Sequence, residues 1–161
     1  MMKKSKSSIF LILCGALFFV FPRVLKADES VTGTFKGNGK DAKLAYAYAR
    51  PGEPFSGEET VMVVLTEEDP GNNERPDFDA MFGKLGSALI LTFQRSGDII
   101  GCEVAHSALE KSPFSSLGSM KVSDFKIDGD KLTAKVSTGG EVENFGETWE
   151  ADLSINTVIR K

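Results

Sequence analysis

The chain has 161 residues, of which 26% are charged and 41% hydrophobic, with 16 Gly, 6 Pro, 2 Cys and a formal net charge of −4. This composition excludes collagen-like, low-complexity and disordered chains. Two cysteines are too few for a disulfide-stapled miniprotein, and the length suits one compact domain.

Residues 1–27 read as a secretory signal peptide. Lys3, Lys4 and Lys6 form a positive n-region, Ile9 to Phe21 is apolar, and Pro22 breaks the run before a short segment ending at Ala27. The apolar run spans 13 residues, shorter than the roughly 20 needed to cross a bilayer. An uncleaved anchor is one alternative. A lipoprotein modified at Cys14 is another, disfavoured by Leu13 just before the cysteine and by the apolar start that Ala16 to Val20 would leave. The expected mature product is a single domain over residues 28–161, with no integral membrane span after cleavage, exported to a bacterial periplasm or cell exterior.

The leader carries five bases and no acid, so residues 28–161 hold 14 Lys and Arg against 23 Asp and Glu, a net −9. That charge excludes nucleic acid and favours a basic partner, a cation or plain solubility. Cleavage also removes Cys14, leaving Cys102 without an internal partner.

Period-2 alternation dominates residues 31–155. Strands are expected at 31–36, 43–50, 60–66, 86–95, 98–106, 120–127, 131–138 and 147–155. In the second, Leu44, Tyr46 and Tyr48 alternate with Ala45, Ala47 and Ala49, which sets large side chains on one face. Residues 60–66 and 88–93 are apolar on both faces and belong in central strands. Pro51 to Gly57 is a loop. After the polar stretch Glu67 to Pro76, Asp77 is expected to cap a short helix through Phe78 and Phe82 to Gly83. Asp128-Gly129-Asp130 is a tight hairpin turn. Val122 and Phe125 cannot share a face at period 2, which predicts a bulge near Ser123-Asp124. The expected fold is all-β: a seven- to eight-stranded antiparallel sandwich or small barrel, with one short helix near 77–83.

His106, the sole histidine, continues the inward face of Ile100, Cys102 and Val104. Cys102 and His106 lie four residues apart on one strand face, too far for a nucleophile–base pair or a shared metal. A buried, inert thiol is expected at Cys102. No G-x-S-x-G, S-x-x-K, H-E-x-x-H or P-loop pattern occurs, so the sequence nominates no catalytic residue, metal ligand or cofactor. The carboxylates at Glu67-Glu68-Asp69, Asp77, Asp79, Asp124, Asp128 and Asp130 lack the alternating spacing of a calcium loop. Phe78, Phe82, Phe93 and Phe125 read as core. Phe114 and Phe145 fall in loops and are candidate partner anchors.

The order A-Y-A-Y-A-R (45–50), V-V-L-T-E-E-D-P (63–70), a strand ending at His106, D-G-D-K-L-T-A-K-V-S-T (128–138) and W-E-A-D-L (149–153) resembles small exported β-domains of unassigned function. The resemblance covers most of residues 31–157 and implies fold and location, with no active site carried over. The leading functional expectation is a non-enzymatic binding module meeting a protein partner, such as a basic enzyme that it inhibits, through loops 51–57, 67–77 and 107–118. The alternative is a carrier with a small apolar ligand in a barrel lined by Tyr46, Tyr48 and Trp149. A hydrolase using His106 with a loop carboxylate is third.

Overall fold

A computed structural model describes residues 30–161; the leader expected at 1–27 lies outside the described residues. In chain order the elements are β1 (Ser30–Gly37), β2 (Lys40–Asp41), β3 (Tyr46–Pro51), β4 (Thr60–Thr66), α1 (Pro76–Met81), β5 (Ala88–Gln94), β6 (Ile99–Ala105), β7 (Phe114–Ser115), β8 (Lys121–Asp128), β9 (Lys131–Ser137), β10 (Val142–Asn144) and β11 (Glu147–Val158). They form two antiparallel sheets packed as a sandwich, so the barrel alternative is set aside. The first sheet runs β2-β1-β11-β9-β8, with β10 also on β11, and the second runs β3-β4-β5-β6-β7. The second sheet is thus a continuous meander, enclosed in sequence by the strands of the first.

The eight expected strands are the eight long ones. The three further strands β2, β7 and β10 are two or three residues each, in stretches whose sequence reads as turn and loop. The central placement of 60–66 and 88–93 holds: β4 and β5 are interior strands whose residues are buried apart from Met62, Thr92 and Gln94. The bulge is present as well. The β8–β9 register shifts between Ser123 and Lys126, and Asp124 adopts φ 51°.

Between the sheets lies one core, in which Phe35, Val63, Leu91, Phe93, Leu132, Trp149 and Leu153 are among the most enclosed side chains. Alternation at period 2 drives these residues inward and sends Thr34, Lys36, Glu150 and Asp152 out. At β3 the two faces separate as expected, and the small one turns inward. Ala47 and Ala49 point into the core and Tyr48 points out. The reason is close approach: β11 closes this side of the sandwich, with Thr157 Oγ1 donating to the Ala47 carbonyl at 3.3 Å and Arg160 N to that of Ala49 at 2.8 Å. Alanine leaves room for that contact and tyrosine does not.

Candidate interaction surface

The outer face of the second sheet carries α1. Pro76 occupies the first turn, where its fixed φ and missing N–H cost nothing, and Arg75 stands at the cap position, two residues before the expected one. Asp77 is therefore not its cap. The Asp77 carboxylate instead takes Arg75 at 3.3 Å and Arg50 at 3.5 Å. Burial opposes its ionisation, but those two guanidinium groups outweigh it and hold the carboxyl below its ordinary value. Asp79 is likewise held low by Lys84, at 2.8 Å, and by the Asn73 amide.

A helix of six residues buries only part of a sheet. Ala80, with Met81 and Leu85, packs on Tyr48, Val64, Ala88 and Ile90 in a second small apolar cluster. Phe78 and Phe82, one turn apart, lie on the other side of the helix. They are 50% and 66% exposed, and their rings meet at a 49° tilt with centroids 4.6 Å apart. The sequence pattern places both in the core, and the structure corrects this. Beside them the row Arg50–Met62–Thr92–Gly101 crosses the outer face of the sheet, with Arg50 paired to Asp77 of α1 and Met62 packed against the Ala80 cluster. A cleft of about 310 Å³ separates the Phe pair from the sheet, floored by Met62 and Ile90 and edged by Glu103.

On its other flank, Phe82 borders a second cleft of about 390 Å³ that reaches His106, Leu109 and Pro113. His106 is 3% exposed and lies against the Phe35 ring at 5.0 Å. Its Nδ1 accepts the Ala108 N–H at 3.0 Å. The neutral ring therefore carries its proton on Nε2, which is buried beside the Lys40 backbone and makes no hydrogen bond of good geometry. Neither ring nitrogen bonds a hydroxyl, thiol or carboxylate among the described residues. Gly37 is what admits the ring: a Cβ on it would stand 2.7 Å from Nδ1. Burial pushes the His106 pKa down, against weaker upward pulls from the Glu67 carboxylate and the Lys40 backbone.

This predicts a pH response with a definite sign. The folded chain keeps His106 neutral where the unfolded chain protonates it, so stability is full above the ordinary value of 6.5 and declines as pH falls below it. Urea titrations between about pH 7.5 and 5.5 should show this decline in wild type and lose most of it in His106→Gln. An unaltered slope would place the titrating group elsewhere.

Cys102 is fully enclosed, and burial, with a smaller contribution from Glu103, pushes its thiol up to about 12. It is expected to resist iodoacetamide at about pH 8 in the folded protein and to react once urea unfolds it. Alkylation at equal rates in both states would contradict that packing.

The remaining aromatic candidates sit elsewhere. Phe114, expected in an exposed loop, is buried in β7 and meets Phe145 edge-on at 5.7 Å. Phe145 is 68% exposed, at the tip of the β10–β11 hairpin with φ 57°. Asn144 Oδ1 ties this corner together, accepting Trp149 Nε1 at 2.8 Å and Ser116 Oγ at 2.9 Å. Glu147 accepts the N–H groups of Glu110 and Lys111, each at 2.8 Å, and so pins loop 107–118. Trp149 lies in the inter-sheet core, Tyr48 under α1, and Tyr46 is partly exposed at the start of β3. These three do not line a common cavity.

Glu67 and Asp69, like Asp77 and Asp79, are occupied locally. Glu67 takes the backbone N–H groups of Lys43 and Ser87, and Asp69 that of Gly71. Among the described residues no group of three His, Cys, Asp or Glu is set to hold a metal ion. Compared with protein-family models, curated proteins and solved structures, the chain shows no match.

Proposed function

We propose that this chain is an exported, non-enzymatic binding module, and that it holds a protein partner against the outer face of its second sheet, beside α1. The single observation that carries the reading is the Phe78–Phe82 pair, in contact ring to ring and exposed to solvent beside an apolar cleft on the outer face of the sheet. Contiguous exposed aromatic surface rimmed by charge is what interfaces offer and what a soluble monomer avoids. Met62 and Met81 add side chains that adapt to an incoming shape. The signal-like residues 1–27 support export to a periplasm or cell surface.

The test is co-purification from the producing cell's envelope under gentle conditions, comparing wild type with Phe78→Ala/Phe82→Ala. Both residues are half or more exposed, so the variant is expected to keep wild-type stability within about 0.5 kcal/mol. It is expected to recover a given partner at least about tenfold less efficiently. Equal recovery by the two proteins would remove this face from the interaction.

A further inference from the structure

The charges of the chain are unevenly placed. Between residues 53 and 103 there are 11 Asp and Glu against 3 Lys and Arg, a net −8, whereas the rest of residues 30–161 holds 10 acids against 11 bases. The acidic surplus therefore belongs to β4, α1, β5, β6 and their loops, the part of the second sheet that presents the Phe pair, while Arg50 on Asp77 and Arg160 over the Tyr48 ring bring positive charge to the Tyr48 side of the same face. Within it, Lys84 and Arg75 are engaged by Asp79 and Asp77, and Arg95 by Glu59. Arg50 stands at the β3 end of the Arg50–Gly101 row, on Asp77 of α1. Glu103 is different: it edges the cleft and carries no ion pair among the described residues. Its neighbours across the sheet are Ile90 and Ser115, neither of which can neutralise it.

We infer that the occupant of this face is a cationic, amphipathic polypeptide segment, whose apolar side chains enter the cleft against Phe78 and Phe82 while a Lys or Arg meets Glu103. This rests on the docking face proposed above and adds the chemistry of what docks. An acidic segment is repelled by the surplus charge, and a purely polar cation leaves the aromatic pair in water. A second copy of the chain brings the same acidic surplus to the contact and is disfavoured by the same repulsion. A segment carrying both features satisfies both halves of the site. The long-range field speeds the encounter, and the aromatic pair slows departure.

Three synthetic peptides of equal length provide the probe: an amphipathic Leu/Lys peptide, its Leu/Glu counterpart, and a Ser/Lys peptide without apolar residues. Isothermal titration on the purified chain is expected to show saturable binding of the Leu/Lys peptide alone, weakening as salt rises. Phe78→Ala/Phe82→Ala should weaken it about tenfold or more, and Glu103→Gln about threefold with a shallower salt dependence. Binding of the Leu/Lys peptide that ignores both variants would reduce it to non-specific attraction and overturn the inference. Equal binding of the Leu/Glu peptide overturns it too. If no peptide binds while Phe78→Ala/Phe82→Ala still loses the envelope partner, the docking face stands and only the cationic chemistry falls.

Discussion

Trp149→Ala is expected to cost about 3–5 kcal/mol of folding stability, the range for deleting a fully enclosed aromatic side chain. Trp149 is 1% exposed and faces Gly37 on β1 and Val142 on β10 across the longest strand of the fold. The substitution removes the ring from the core and also unties Asn144, whose Oδ1 holds the indole N–H and the Ser116 hydroxyl. Phe145 would lose its anchored hairpin and loop 107–118 one of its tethers. Trp149→Phe keeps most of the volume and forfeits the hydrogen bond, so about 1–2 kcal/mol is expected. Urea denaturation of the two variants separates packing from bonding. A cost below about 1 kcal/mol for alanine would mean that the core relaxes around the loss.

Gly33→Ala should be the most damaging single-atom addition in the described chain. Gly33 sits mid-strand in β1 at φ 125°, a conformation essentially closed to residues with a side chain. A Cβ there would meet the Asp152 carbonyl oxygen head-on, and backbone on a central strand has little room to yield. At least about 2 kcal/mol is expected from conformation alone, and the clash adds to it. Gly129→Asn is the control. Gly129 has φ 63° in the β8–β9 turn and open space around it, and asparagine tolerates that conformation, so little change is expected. Similar costs at the two sites would mean that β1 does not approach β11 as described.

Much of this architecture is legible in the sequence, because the long strands alternate cleanly and their turns carry Gly where φ must be positive. Residues 131–137 and 147–158 show it best, and the misfit of Val122 with Phe125 marks the bulge. The short strands β2, β7 and β10 are not legible. Two or three residues have no periodicity of their own, and only the neighbouring register makes them strands. The facing of β3 is not legible for a related reason. Alternation marks two faces, but which one turns inward depends on how closely β11 approaches, and that contact is remote in sequence.

The interaction surface is harder still to read. Phe78 and Phe82 are spaced like a core stripe, and Met81 and Leu85 repeat the same spacing one face over. Which pair is buried depends on how Ala80 seats the helix on the sheet. Flanking of Phe78 by Asp77 and Asp79 is the one local sign of an exposed position. Glu103 gives no sign, since an acid on a half-buried strand looks like any outward residue until it is seen to edge the same cleft as Phe78 and Phe82.

If partners meet the outer face of the second sheet beside α1, a crosslinker placed there will find them. The most direct measurement puts a photoreactive phenylalanine analogue at position 82, at position 145, and at position 34 on the outer face of the first sheet, and irradiates the producing cells. A discrete crosslinked product is expected from position 82, absent from position 34 and weak or absent from position 145. A product from position 34 or 145 with none from position 82 would contradict the proposed docking face, and would move binding to the first sheet or to the β10–β11 hairpin.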